Sequence, residues 1–171
     1  MRVAGLFAGI GGLELGLHQA GHETVVFSEC WSPAAAVLAD RFADVPNLGD
    51  VTAIKMLPPE VDLVTAGFPC QDLSQAGKTA GILGKKSSLV DHVFRLIDKS
   101  HPKWVLLENV SFMLRLDGGS AMLRLVSAFE ERGYLWAYRV VNSLSFLPQR
   151  RERVFFSCQS RRQSRRRPTR G

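Results

Sequence analysis

The sequence has few cysteines and no long apolar run, and both absences narrow the class of protein. Only three cysteines occur, Cys30, Cys70 and Cys158, an odd and widely spaced set that argues against a disulfide framework. No apolar stretch approaches the roughly 20 residues that a membrane-spanning helix needs. The four histidines show no ligand spacing with cysteines or acids. We therefore expect a reducing, cytoplasmic setting without a membrane anchor or a metal site.

Acidic residues are absent past residue 160, and this absence explains the basic balance of the chain. The 171 residues include 22 Lys and Arg against 16 Asp and Glu. Six of the arginines lie past residue 160, and the remainder balances at 16 basic and 16 acidic residues. We predict a folded domain at residues 1–158 and a disordered basic tail at 159–171. The tail is either a nucleic-acid-binding arm or a solvated end, and its position directly after a predicted strand favours the solvated end.

Short apolar runs alternate with helical patterns along the body of the chain. Strands are predicted at 3–7, 24–27, 47–51, 61–66 and 104–107, with a closing antiparallel pair at 134–142 and 154–157. Helices are predicted at 13–21, 32–42, 88–99 and 121–132, with Ser32 as N-cap and Pro33 as the first helical residue. The alternation predicts a three-layer α/β fold with a mostly parallel sheet and helices on both faces.

Glycines follow the first predicted strand, and an acid follows the second. Gly9, Gly11 and Gly12 allow the backbone to approach a ligand closely, and Glu29 lies 20 residues after Gly9. A carboxylate in that place can accept hydrogen bonds from ribose hydroxyls. The glycine spacing differs from the dinucleotide pattern, and glycines alone can simply form a turn. Together with residues 50–51 at the end of the third predicted strand, they favour a nucleoside cofactor.

Two further strands lead to reactive side chains. Cys70 follows the buried run 61–66, and Glu108 and Asn109 follow the strand at 104–107. Adjacent strands lie about 4.8 Å apart, so the thiol and the carboxylate can share one crevice. Such a pair suggests covalent catalysis, with the acid polarising the substrate. From position alone, Cys70 is either a nucleophile or a buried apolar residue, and Cys30 and Cys158 are interpreted as packing residues.

Residues 149–153 place three arginines directly before the last predicted strand. Arginines there are either solvated surface charges or contacts to a phosphate or a base carbonyl. Trp31 either stacks on a flat ring or packs against the protein, and packing is the more common role of a lone tryptophan.

Four segments, at residues 6–12, 67–71, 108–110 and 149–153, occur in an order and at a spacing that resemble one enzyme family. Over residues 3–157 the chain resembles the amino-terminal part of the bacterial DNA (cytosine-5) methyltransferases of restriction-modification systems. The resemblance implies a Rossmann-like methyltransferase fold, S-adenosylmethionine as cofactor and DNA as partner. It also favours Cys70 as the nucleophile.

The resemblance implies roles for individual residues. The cofactor would be held by Phe7, Gly9, Ile10, Gly11, Gly12, Glu29, Trp31, Asp50, Val51, Pro69 and Leu89. Cys70 would add to carbon 6 of a flipped cytosine, and Glu108 would hold or protonate ring nitrogen 3. Arg153 would contact the cytosine carbonyl, and Arg151 would orient the catalytic groups. Substrate contacts are assigned to Gln71, Ser74 and Asn109, with the loop at 71–88 as a lid over DNA.

Two departures from the family pattern limit these expectations. Gly5 stands where the family often has an acid or a serine. Members of the family continue with a target-recognition region and a last segment that returns to the catalytic domain, whereas this chain stops after the strand at 154–157. The first alternative is therefore an inactive or partner-dependent fragment that binds only the cofactor and is completed by a carboxyl-terminal subunit. The resemblance also leaves a methyltransferase acting on cytosine in RNA as a further alternative, because related enzymes methylate transfer RNA.

Overall fold

Six strands form one sheet in the computed structural model, which describes residues 1–68 and 89–161. The strands are β1 (Arg2–Leu6), β2 (Glu23–Ser28), β3 (Leu63–Ala66), β4 (Trp104–Val110), β5 (Tyr134–Asn142) and β6 (Glu152–Ser160). Their order is β2-β1-β3-β4-β6-β5. The first four pair in parallel, and β6 runs antiparallel to both of its neighbours. The predicted parallel sheet with an antiparallel closing strand is confirmed.

Helices cover both faces of the sheet, as predicted. They are α1 (Gly12–Gln19), α2 (Ser32–Arg41), α3 (Leu89–Ser100) and α4 (Ser120–Glu131), with 3-10 turns at Ser111–Gly119 and Ser143–Ser145. On β1, Gly5 faces α1, whereas Ala4 and Leu6 enter the core that α3 and α4 share. This alternation follows from the two-residue period of a strand. None of the described helices is long and apolar enough to cross a membrane.

The strand predicted at 47–51 is wrong. One parallel bridge joins Asn47 to Phe27, and the following residues form no strand. The amide of Asn47 accepts hydrogen bonds from the backbone N–H of Glu29 and of Gly49, and Asp50 accepts one from Thr52. These local side-chain bonds replace the ladder that an extended strand would need.

Several element boundaries also differ from the predictions. Strand β6 begins before Val154 and continues to Ser160, which donates its backbone N–H to Lys103. Two residues assigned to the basic tail, Gln159 and Ser160, therefore belong to the sheet. Strand β4 extends through Glu108 and Asn109 because the longer β6 pairs with it along its whole length. The N-cap of α2 is Trp31 rather than Ser32.

One face of the β4–β6–β5 half of the sheet is open in the described part of the chain. Strand β6 is an internal strand, yet Ser157 is exposed, as is Ala137 beside it on β5. Leu135 on the same face is 45% exposed. The opposite face of β6 carries Phe156 and Cys158, both fully buried under the helix layer. In this half of the sheet, the helix layer therefore covers one face, and the other face is uncovered in the described part of the chain.

Candidate functional site

Two adjoining cavities open at the carboxyl ends of the parallel strands. The first, of about 360 Å³, is lined by Phe7, Gly9, Ser28, Glu29, Cys30, Gly49, Asp50, Val51, Gly67 and Leu89. The second, of about 470 Å³, is lined by residues 7–10, 12 and 13 and by Gly67, Glu108, Val141, Ser143, Phe146, Arg151, Arg153 and Phe155. Open α/β sheets bind ligands at this edge, where the strand order reverses. Strand β1 marks that point here, because its neighbours are β2 on one side and β3 on the other.

The carboxylate of Glu29 organises the first cavity. Its Oε2 accepts a hydrogen bond from the backbone N–H of Gly9 at 2.8 Å, and its Oε1 accepts one from Trp31 at 2.7 Å. Glu29 thereby ties the turn after β1 to the end of β2. A carboxylate oxygen can accept two hydrogen bonds, so Glu29 keeps acceptors for hydroxyl groups of a ligand.

A second carboxylate and two apolar walls complete the first cavity. Asp50 accepts a hydrogen bond from the backbone N–H of Thr52 at 2.8 Å, and this bond holds the pKa of Asp50 below its ordinary value. Asp50 is therefore an anion at neutral pH. Val51 and Leu89 contribute apolar surface. Carboxylates that accept hydrogen bonds from hydroxyl groups, next to apolar walls, are suited to binding a nucleoside.

The turn after β1 contributes less uniformly than the glycine pattern predicts. Gly11 has φ +81° and is the N-cap of α1, and a Cβ there would lie 2.6 Å from a ring carbon of Phe42. Gly11 therefore serves the packing of α1 against α2 and lines neither cavity. Ile10 and Gly12 line the second cavity rather than the first. Only Phe7 and Gly9 of this turn line the first cavity.

Trp31 and Cys30 also differ from their predicted surroundings. The Trp31 side chain is 66% exposed and lines neither of the two cavities, although its backbone bonds to Glu29. Cys30, interpreted as a packing residue, is exposed and lines the first cavity. Cys158 is buried as predicted, and burial raises the pKa of its thiol to about 12.

An ion pair lines the second cavity. Arg153 Nε is 2.9 Å from Glu108 Oε1, and both side chains are partly buried. Arg153 also donates from Nη1 to the backbone carbonyl of Glu152 at 2.7 Å. A Cβ built on Gly67 would lie 3.5 Å from Glu108 Oε2. The carboxylate is therefore oriented by the guanidinium and lies directly against the end of β3.

Other residues of the second cavity come from the segment between β5 and β6. Arg151 lines the cavity, and its backbone carbonyl accepts a hydrogen bond from Ser143 at 3.0 Å. Phe146, which the sequence analysis missed, lines the same cavity with its side chain 77% exposed. An aromatic residue shortly before residues 149–153 was the available signal.

Asn109, predicted to contact the substrate, is buried and lines neither of the two cavities. Its side chain is 5% exposed, and Nδ2 donates to the backbone carbonyl of Phe68 at 2.9 Å. Its Oδ1 accepts from Val110 at 2.9 Å. The amide is thus committed to joining β4 to the segment after β3, and in this arrangement it does not face the cavity. The predictions for Pro69, Cys70, Gln71 and Ser74 lie outside the described residues.

Comparisons with known proteins identify the family of the chain. A sequence model of the family described as C-5 cytosine-specific DNA methylase matches residues 1–168. The chain is 54% identical over 159 residues to the type II methyltransferase M2.BsuMI of Bacillus subtilis (strain 168), covering 90% of this chain and 41% of that protein. It is 38% identical over 152 residues to M.BsuFI of Bacillus subtilis, covering 87% and 37%.

The fold is shared with solved structures as well. The structure of the S. pombe Dnmt2 methyltransferase matches with a TM-score of 0.74 at 20% identity, covering 94% of this chain and 51% of that one. The chain thus spans about half of the solved structure, and less than half of the length of the two curated relatives.

Proposed function

Because this chain belongs to the C-5 cytosine-specific DNA methylase family, we propose that it forms the catalytic half of a DNA (cytosine-5) methyltransferase of a restriction-modification system. One observation carries this proposal. The Glu108–Arg153 pair lies against Gly67, three residues before Cys70, and beside a cavity with nucleoside-binding chemistry. Chain connectivity limits the Cα of Cys70 to within about 11 Å of Gly67.

The first cavity fits S-adenosylmethionine, which supplies the methyl group for carbon 5 of the cytosine when it is bound. Glu29 would accept hydrogen bonds from the ribose hydroxyls, and Asp50 would accept one from the polar edge of the nucleoside. Phe7, Val51 and Leu89 would provide the apolar walls. The predicted contacts of Trp31 and Pro69 with the cofactor remain part of this proposal.

The second cavity fits a cytosine that has left the DNA stack, as chemistry on a base requires. Glu108 would hold the proton on ring nitrogen 3, and Arg153 would donate to the ring carbonyl from its several N–H groups. The Cys70 thiolate would form a bond to carbon 6, which raises the electron density at carbon 5. After methylation, loss of the carbon 5 proton and cleavage of the sulfur–carbon bond restore the ring and the thiolate.

A fluorinated substrate tests the covalent step. Fluorine on carbon 5 cannot leave as a cation, so a methylated adduct with 5-fluorocytosine in duplex DNA should persist on a denaturing gel. We expect this adduct with the chain plus the carboxyl-terminal half of a relative, DNA and S-adenosylmethionine. Cys70→Ala should abolish it, whereas Cys30→Ala should retain it. An adduct that survives in Cys70→Ala, or no adduct when the native chain is combined with that half, would contradict the proposal. Competition between duplex DNA and transfer RNA tests the RNA alternative.

The open face of the sheet supports a partner-dependent version of this function. Leu106, Phe155 and Leu135 lie on that face, which continues into the second cavity. We propose that segments equivalent to the other half of the relatives cover it and complete the substrate site. The chain alone should then bind cofactor without transferring methyl groups, and adding that half in trans should restore transfer. Full transfer by the chain alone would rule this out.

A further inference from the structure

Glu14 is a buried acid that lines neither cavity. It lies in the first turn of α1, and 1% of its surface is exposed. Its Oε1 is 2.6 Å from the hydroxyl of Thr65 on β3. Its Oε2 is buried and has no hydrogen-bond partner among the described residues. A carboxylate with one unpartnered buried oxygen is unfavourable, so its position needs an explanation.

Gly5 on β1 provides the space for this side chain. A Cβ at residue 5 would lie 2.6 Å from Glu14 Oε1 and 2.9 Å from Cδ. The departure of Gly5 from the residue types expected at this place is therefore explained by Glu14. The helix, rather than the strand, supplies the polar group at this point of the interior.

The hydrogen bonds around Thr65 favour a neutral carboxyl group. The Thr65 hydroxyl lies 2.6 Å from Glu14 Oε1 and 3.3 Å from the carbonyl of Ala4, and a hydroxyl has one hydrogen to donate. Both contacts are satisfied only if Glu14 carries a proton and donates it to Thr65, which then donates to Ala4. Burial raises the pKa of Glu14, and this effect outweighs the lowering that Thr65 and the backbone N–H of Glu14 would cause as donors to an ionised carboxylate.

Neighbouring charges do not determine this state. The titratable residues of the surrounding elements are Arg2 on β1, His18 on α1, Glu23 on β2, Asp40 and Arg41 on α2, and Glu108 on β4. Arg2, His18, Glu23 and the two residues of α2 are exposed, Glu108 is paired with Arg153, and β3 has no titratable residue. Desolvation is the principal cause of the shift in the pKa of Glu14.

We propose that Glu14 is a neutral positioning residue that joins α1 to β1 and β3. It thereby fixes the positions of the two cavities relative to each other. Its anchor points lie close to the cavity walls in the chain. Thr65 is two residues before Gly67, Glu14 is two residues after Gly12, and β1 ends directly before Phe7. The inference rests on the proposed function, because the cavities that it aligns are those assigned to cofactor and cytosine.

Matched substitutions at Glu14 test the positioning role. Glu14→Gln keeps the shape and a neutral polar group, so the affinity for labelled S-adenosylmethionine in equilibrium dialysis should stay within about twofold of the native chain. Glu14→Ala should lower that affinity roughly tenfold, because the turn after β1 loses its anchor. Gly5→Ala should reproduce the loss by displacing the carboxyl group. If Gln were as harmful as Ala, or if Ala and Gly5→Ala were harmless, the proposal would be wrong.

A pH series tests the protonation state without any cofactor. Because the folded pKa of Glu14 is raised above its ordinary value of 4.5, the stabilisation from the neutral carboxyl is complete below that pH and is lost as the pH rises through the folded pKa. Glu14→Gln does not titrate, so its Tm should gain on that of the native chain as the pH rises. A flat or falling difference overturns the neutral state, even if the chain fails to bind cofactor.

A measurement on the native chain covers the case in which the variants fail to fold. With carbon-13 in the glutamate carboxyl groups, one resonance should keep its protonated chemical shift at pH values where the other glutamates have titrated. A spectrum in which every glutamate titrates together would overturn the proposal. Loss of cofactor binding by the native chain, with this signal present, would instead count against the proposed function alone.

Discussion

The two halves of the sheet differ in how completely this chain covers them. In the β2-β1-β3 half, all four residues of β3 are buried, because helices lie on both faces. In the β4-β6-β5 half, β6 alternates between buried and more accessible residues. The first cavity belongs to the covered half and the second reaches the open one. If the proposed function holds, we expect cofactor binding to depend on this chain alone and methyl transfer to depend on the segments that cover the open face.

The largest expected effect separates the two cavities by function. Glu108→Gln, in chain complemented with the carboxyl-terminal half of a relative, should lower methyl transfer by at least about a hundredfold, because ring nitrogen 3 loses its acid. Cofactor affinity should be unchanged, since Glu108 does not line the first cavity. Methyl transfer is measured as a rate and cofactor affinity by equilibrium dialysis. An equal fall in the transfer rate and in the affinity would show that the two cavities form one functional site.

The next largest effect is a difference in stability between variants of two adjacent phenylalanines, which lie on opposite faces of β6. Phe156 is 1% exposed in the core, and Phe156→Ala should lower the free energy of unfolding by about 3–5 kcal/mol. Phe155 is only partly buried, and Phe155→Ala should cost about 1 kcal/mol in the chain alone. Urea unfolding measures both. Equal losses would mean that the face carrying Phe155 is as well covered as the core.

Cys30 offers a chemical probe of the covered half. In a Cys70→Ala background, S-adenosylmethionine should slow alkylation of Cys30, since this exposed thiol lines the first cavity. Cys158 should stay unreactive until the chain unfolds, because burial raises its pKa to about 12. Mass spectrometry of the alkylated peptides separates the two sites. Unchanged Cys30 reactivity at saturating cofactor would place the ligand elsewhere.

The smallest effect concerns Asp50 at the edge of the first cavity. The Thr52 hydrogen bond lowers the pKa of Asp50 from its ordinary value of 3.8. Ionised Asp50 therefore stabilises the fold at pH values above 3.8, and this stabilisation is lost as the pH falls through the folded pKa. Asp50→Asn should therefore be slightly less stable than the native chain at neutral pH and equal to it in acid. A stability difference that persists in strong acid would show that the lowered pKa is not its cause.

Local patterns in the sequence predicted most helices and strands. They failed where side chains, in place of a neighbouring strand, accept the hydrogen bonds of the backbone. The apolar period of α3 and the buried run of β3 both lie close to their predicted bounds. Residues 47–51 look equally extended, but the amide of Asn47 and the carboxylate of Asp50 bond locally. Strand propensity does not include such competing bonds.

The sequence predicted individual residues of the candidate site, but it did not predict which of them contact one another. Glu29 and Glu108 were recognised from their places at strand ends, and Cys70 from its surrounding motif. The hydrogen bonds of Glu29 to Gly9 and Trp31, the hydrogen bond of Asn109 to Phe68 and the exposure of Cys30 depend on the tertiary structure. Glu14 had no sequence signal, because an acid in the first turn of a helix is ordinary on a solvent-facing surface.

The amino-acid sequence by itself determined the family, the strand–helix alternation and the residue types at the ends of the parallel strands, since these depend on local periodicity and short motifs. Only the tertiary structure decided that β6 returns beside β4, which brings Arg153 to Glu108, and that Gly5 leaves room for Glu14. Contacts between residues distant in the chain depend on how layers pack, and packing is a property of the whole sheet rather than of any segment.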